Sequence, residues 1–408
     1  IAKFEIDFFR PPIVASEAAN GDLIINTGQF APQRLLGNPT DFGETVTVRK
    51  GTDAGDFINV DVFTTPNGFG EDSPTSGAAF TYQVRKGQTI VIDGGNGNDN
   101  ITLEGWNGNE VHFDIRGGAG NDLIQFTNNQ TPTVVSSRFN LLDGGAGSDT
   151  IIGSSGNDLV IGGSGDDDVF GGAGDDLVLG DQANLLETVV SSKATATDGR
   201  DTVSGGEGDD IVIGAGNSDT LDGGSGNDLL LGDGGTLSFA STGMKILSNL
   251  NALHNGSVND VDGGGAADNI TGGAGHDVIF ASDGDDMVSG NAGKDMIFGG
   301  SGFDTISGGE GNNLIFGDSG RIMSSLLVAA SDDFVANLSA LTDASNVNVQ
   351  LERLAIVADG AGDVITSGGS KDIIIAGMGN DDVTAGAGDD LVLGGGGYNP
   401  WSVGRLWT

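Results

Sequence analysis

The sequence predicts an all-β protein folded as a parallel β-roll, a solenoid of nonapeptide repeats in several blocks behind an N-terminal β-rich cap or domain. Three observations predict it. A nine-residue pattern, Gly-Gly-x-Gly-x-Asp-x-(Ile/Val/Leu)-x, recurs in one frame from Gly94 to Leu393, and such a fixed period marks a stacked repeat architecture. Glycine supplies 74 of the 408 residues and cysteine none, so turns rather than disulfides organise the chain. Acidic residues number 58 against 17 basic, a net charge of −41. That self-repulsion, with few aromatics, predicts a chain largely disordered until cations offset it.

Residues 1–93 lack the nonapeptide and alternate in strand fashion instead: Phe4 to Phe8, Asp22 to Ile25, Glu44 to Val48, Asn59 to Phe63 and Phe80 to Val84, with Gly, Pro and Asn between them. A cap over the first coil is the expected role, because a solenoid end must be shielded from edge pairing. A ligand-binding β-sandwich is the rival reading.

From Gly94 the register is strict. The sixth place is held by Asp99, Asp122, Asp149, Asp158, Asp167, Asp176, Asp201, Asp210, Asp219, Asp228, Asp268, Asp277, Asp286, Asp295, Asp304, Asp363, Asp372, Asp381 and Asp390, and Asn313 alone breaks the series. The eighth place is always aliphatic, as in Ile101, Val169, Val178, Leu230, Ile297 and Val392. Each unit therefore holds a glycine turn and then a short strand whose middle side chain points inward. Two units make one coil.

Stacked coils bring each sixth-place Asp beside the one two units later, and the oxygens gathered there suit a hard cation taking six to eight oxygen ligands. Calcium fits. With no cysteine and only His112, His254 and His276, soft or imidazole-rich metal sites lack their ligands. The candidate calcium ligands are the sixth-place aspartates, Asp201 excepted, and about a dozen Ca²⁺ ions are expected to offset roughly half the charge.

These residues resemble the RTX (repeats-in-toxin) family of secreted bacterial proteins, whose nonapeptide they match place by place over most of the chain. The resemblance implies calcium-dependent folding after export and a parallel β-roll. It does not imply one activity, since the family includes proteases, lipases, cytolysins, adhesins and surface-layer proteins.

Irregular segments divide the repeats: Phe126 to Asp143, Gln182 to Thr197, Gly234 to Asp262 and Ser319 to Val357. The expected organisation is 1–93, the N-terminal cap or domain; 94–181, a first block with insertion 126–143; 182–233, 234–318 and 319–397, each an insertion plus a block; and 398–408, a tail. Three insertions follow the same phrase, at Leu179-Gly180-Asp181, Leu231-Gly232-Asp233 and Phe316-Gly317-Asp318.

The seventh and ninth places point away from the roll interior and alternate between its two sheets. Ninth-place residues in the third block run Thr271, Phe280, Ser289, Phe298, Ser307, Phe316, so one sheet is apolar outside and the other polar. A stripe of phenylalanines does not stay in water. It is expected to be covered by the chain's own insertions, as strands or a helix, or by a neighbouring molecule.

Catalytic patterns are sparse: the chain has no HExxH, GxSxG or P-loop. Gly317-Asp318-Ser319-Gly320 resembles a protease nucleophile loop, yet its phase at the end of a block makes it a turn. His276, at a fifth place, is expected to face solvent, and the Asp-Asp steps are assigned to calcium turns. There is no signal-peptide pattern at Ile1 and no run of eighteen apolar residues. The expected function is a non-enzymatic, calcium-dependent extracellular structural or adhesive protein, such as a surface-layer, filament or stalk subunit. The alternative is the RTX folding and secretion region of a larger toxin or hydrolase. A homo-oligomer or filament is the expected partner state, with a cell-surface glycan as a further partner; so acidic a surface excludes nucleic acid.

Overall fold

The computed structural model describes residues 15–25, 43, 45–64, 80–106, 110–127, 139–186, 189–192, 195–238, 257–260, 266–318, 320–322, 354–356 and 361–394. The expected strand Phe4 to Phe8 and the tail 398–408 lie outside them. Among the described residues the secondary structure is strand, without α-helix. Two fourteen-stranded sheets carry the fold, and successive repeat strands enter them alternately.

In the first sheet, strands such as Asp158–Ser164, Leu177–Asp181 and Ile211–Ala215 pair in parallel. In the second, Asp168–Ala173, Thr202–Glu207 and Thr220–Ser225 do the same. The register matches place to place: Val160 stands against Val178 and Val178 against Val212. One coil thus contributes one strand to each sheet, and the roll rises by one strand spacing, ~4.8 Å, per coil.

Eighth-place side chains fill the space between the sheets. Ile124, Val169, Val212, Ile270 and Ile315 are fully buried in one continuous cluster, while Val383 and Val392 in the final coil are partly buried. Glycine turns of positive φ link the strands, as at Gly163 and Gly165 (φ 126° and 109°). Ala215, Asn217, Ser282 and Asn291 adopt the same left-handed conformation where the pattern lacks glycine, strained positions that the surrounding coils enforce.

The N-terminal strands extend these same two sheets. Leu23–Ile25 pairs in parallel with Thr89–Asn96 in the first sheet, and Thr45–Ala54 pairs with Asn100–Glu104 in the second. The antiparallel strands Phe57–Thr64 and Phe80–Arg85 close the second sheet, and Ala15–Glu17 closes the first. This topology is a cap continuous with the roll, not a separate sandwich. Trp106, Phe113 and Phe126 meet edge to face beneath it, at 5.1 and 5.3 Å, and Trp106 Nε1 donates to the Val48 carbonyl (3.0 Å).

The insertions contribute a second layer made of strands. Ala183–Leu186 and Val189–Ser192 from one insertion join Gly235–Ser238 and Ser257–Asp260 from the next in a four-stranded antiparallel sheet. Gly320–Ile322 pairs with Leu354–Ile356 in the last insertion.

The two outer faces differ as the alternation predicts. Leu177, Leu179, Ile211, Ile213, Leu229 and Leu231 on the first sheet form a second buried cluster that includes Val190 of the insertion sheet. Phe280, Phe298 and Phe316 stack in a row with ring centroids 4.7 Å apart. Phe298 and Phe316 are 4% and 1% exposed within the single chain, so the chain itself covers them and no neighbouring molecule is required. On the second sheet Ser289 and Ser307 are half-buried and Met287 is 59% exposed.

Candidate calcium sites

The turns lie in two columns, one along each edge of the roll. The column leading into the second sheet carries Asp99, Asp122, Asp149, Asp167, Asp201, Asp219, Asp268, Asp286, Asp304, Asp363 and Asp381. The column leading into the first sheet carries Asn140, Asp158, Asp176, Asp210, Asp228, Asp277, Asp295, Asn313, Asp372 and Asp390.

A single rule joins the rungs. The backbone N–H of each sixth-place residue donates to Oδ1 of the sixth-place side chain in the next coil, as from Asp201 to Asp219 (2.9 Å) and from Asp219 to Asp268 (2.8 Å). The rule holds across insertions, so a sequence separation of 49 leaves the contact in place. Each carboxylate is thereby fixed by one oxygen.

The other oxygen has no protein donor. Oδ2 of Asp122, Asp149, Asp167, Asp176, Asp201, Asp210, Asp219, Asp228, Asp268, Asp277, Asp286, Asp295, Asp304 and Asp363 is buried without a hydrogen-bond partner. An unpaired buried carboxylate oxygen is costly, and a continuous row of them is stable only with a positive partner. Burial, reinforced by neighbouring carboxylates, pushes Asp219 and Asp228 up to about 9, whereas at Asp122 burial raises the value to about 6.

The first-place glycine shows what surrounds that oxygen. A Cβ on Gly214 would stand 2.5 Å from both Asp219 Oδ2 and the Gly232 carbonyl oxygen, so a carboxylate and a carbonyl oxygen converge there. Gly144 repeats this with Asp149 Oδ2 and the Gly162 carbonyl, again 2.5 Å each. Oxygens gathered around a space closed to side chains fit a hard cation completed by backbone ligands. No cluster of three or more His, Cys, Asp or Glu side chains is placed to hold a metal among the described residues. A cation here takes carbonyl groups as well as carboxylates.

Several candidate residues stand apart. Both oxygens of Asp158 are engaged by the protein: Oδ2 accepts from Ser154 N (2.5 Å), and Oδ1 from Asn140 Nδ2 (2.7 Å) and Ser154 Oγ (3.1 Å). Its oxygens thus meet protein donors, unlike the Oδ2 atoms of its neighbours in the column. Asp381 and Asp390, in the last described coil, are only half-buried. Asp201, outside the candidate set, has the same orphaned Oδ2 as its neighbours. The repeat frame alone identifies it, since it holds the sixth place like Asp268 and Asp363, which also follow insertions.

Histidine 276 also departs from expectation. It is part-buried, and its Nδ1 accepts from Lys294 N (3.0 Å) while its own N–H donates to Asn227 Oδ1 (3.0 Å). Those bonds belong to a second ladder, of fifth-place side chains, that includes Asn157, Asp175 and Asp209. In it the earlier coil accepts from the later one, opposite to the sixth-place ladder. The Asp-Asp and Asn-Asp steps thus carry two functions, the fifth place stitching coils and the sixth holding the unpaired oxygen. His112 is buried, and His254 lies outside the described residues.

The family model of the RTX calcium-binding nonapeptide repeat (4 copies) matches residues 143–178, 195–235, 262–297, 289–321, 356–383 and 366–399. The chain carries RTX calcium-binding nonapeptide repeats, and such repeats bind calcium. Proteins with them are typically secreted by bacteria. No curated protein sequence matches the chain. No helix of the described residues is long and apolar enough to cross a membrane.

Proposed function

We propose that the chain is an exported calcium-folded rod serving as an extracellular structural or adhesive element. The observation that carries this reading is the length of one continuous stack, fourteen strands in each sheet counting the N-terminal cap strands, with rows of orphaned carboxylates along both edges. At the strand spacing such a roll extends about 60 Å. Calcium, held by the aspartates whose Oδ2 lacks a donor together with turn carbonyls, neutralises the rows and so contributes folding free energy directly. In a low-calcium interior the chain stays unfolded and exportable; in millimolar calcium outside it stiffens.

The covered apolar face bears on how such a rod acts. Because Phe298 and Phe316 are buried within one chain, that stripe gives no support to lateral assembly. The polar outer face of the second sheet, with Thr202, Ser204, Thr220 and Asp222 in rows, is the surface left for contact. Fractionation of producing cells tests the reading. The chain is expected at the surface or in the medium, calcium-folded and elongated by sedimentation; retention inside the cell, or a compact sphere, would contradict it.

A further inference from the structure

We propose that Asp181, Asp233 and Asp318 are positioning residues that keep a calcium site intact wherever an insertion leaves the roll. This rests on the calcium reading above. In the repeat frame each occupies the second place of its turn, where glycine is usual, and the insertion follows at once. The same turn resumes at Asp201, Asp268 or Asp363, the sixth-place residue. A Cβ on Gly232 would lie 2.5 Å from Asp268 Oδ2 and from the Ala281 carbonyl, so the two halves of an interrupted turn still form the same cradle.

The second-place carboxylates supply the closure. Asp181 is 1% exposed; its Oδ1 accepts from Gly199 N (3.3 Å), where the chain returns, and its Oδ2 from Gly216 N (3.2 Å) in the next coil. Asp233 accepts from Asp283 N (3.0 Å) and Asp318 from Met378 N. Gly216, Asp283 and Met378 all occupy the third place of the following coil. One side chain therefore ties an interrupted turn to the regular turn beneath it.

The molecule contains its own control. The insertion Phe126 to Asp143 has Thr127 at the second place, and its turn resumes with Asn140, whose amide is used by Asp158, Ser154 and Phe113 N. The loop between Glu104 and His112 has Glu104 at the second place, turned outward to Arg49 (2.7 Å), and Phe113 at the sixth. Where the buried second-place Asp is present, the sixth place is an Asp with an orphaned Oδ2, as at Asp201, Asp268 and Asp363. At the two interrupted turns that lack it, no carboxylate follows.

Calcium titration calorimetry on the full chain, with calcium as the only probe, tests the proposal in Asp181→Ala and Asp318→Ala, with Thr127→Ala as control. Hydrogen exchange reads the strands Thr202–Glu207 and Val364–Thr366. Each Asp variant is expected to weaken one class of sites about tenfold, the scale of a lost charge-assisted hydrogen bond. Protection of the strand after its insertion should fall at subsaturating calcium and return at saturation. Asp181→Asn, nearly isosteric, serves if the alanine variant does not fold, and should show a smaller shift in the same direction. Titrations that superimpose on the parent, or protection lost equally at saturating calcium, would overturn the assignment. A parent chain that takes up no calcium would instead defeat the calcium reading itself.

Discussion

The two edges of the roll are written with the same nonapeptide and differ in what they hold. Along the edge entering the second sheet, aspartate fills the sixth place from Asp99 to Asp381, and three insertions pass without breaking the row. The opposite edge opens with Asn140 bonded to a satisfied Asp158 and is interrupted again at Asn313. An amide fits the ladder because its oxygen accepts the same backbone N–H. It brings a hydrogen bond without a charge, so hydrogen bonding alone stacks the coils while carboxylates decide where a cation is held.

The largest effect expected from a single change is at Asp286, inside the unbroken edge. Asp286→Ala removes the acceptor for Asp268 N (2.9 Å) and the orphaned Oδ2, and losing one member of a buried charged set costs about 3–5 kcal/mol. Denaturant unfolding in calcium measures it. Asp283→Ala, at a third place where the side chain accepts from Ser301, should cost about 1 kcal/mol; equal losses would break the distinction between places.

Next in size is the contrast between faces. Phe298→Ala should destabilise by about 3–4 kcal/mol, because the ring is buried and stacked between Phe280 and Phe316. Phe170→Ala, on the other sheet and 37% exposed, should cost under about 1 kcal/mol. Thermal unfolding of the two variants compares the faces directly.

Much of this was legible in the sequence, and the limits have physical causes. The frame gave the strands, the inward eighth place and the two unlike faces, since a two-unit coil ties each to a fixed offset. It could not show that Asp158 is satisfied, because Ser154 and Asn140 reach it from different turns. Nor could it show the fifth-place ladder, which depends on which oxygen meets which N–H. The insertions read as apolar cover, but their pairing across two insertions into one sheet is a long-range contact with no period to betray it.

A smaller change sharpens the comparison of edges. Asn313→Asp restores the missing charge in a residue that already accepts from Asp295 N (3.0 Å). Calcium stoichiometry should rise by about one ion, and stability in calcium by about 1–2 kcal/mol, with a loss when calcium is removed. No change in stoichiometry would mean that the rung's charge is irrelevant.

Acidity should act with opposite sign in the two states. Without calcium, burial raises Asp219 to about 9 from 3.8, so the folded chain binds more protons than the unfolded one. The fold's stability is then greatest below the unfolded value and is lost as pH rises through the folded one. With calcium, protons compete for the same oxygens, and affinity falls as pH falls. Unfolding curves from pH 5 to 9 in chelator and in calcium should converge toward low pH and separate as pH rises; parallel curves would contradict the linkage.

The central claim is that cations complete the rows of orphaned oxygens and thereby hold the two sheets together. Far-ultraviolet circular dichroism of the full chain at neutral pH, before and after calcium chelation and after its return, tests it most directly. The account predicts cooperative loss of the β signal from the repeat region and its recovery with calcium. An unchanged spectrum after verified metal removal would contradict it.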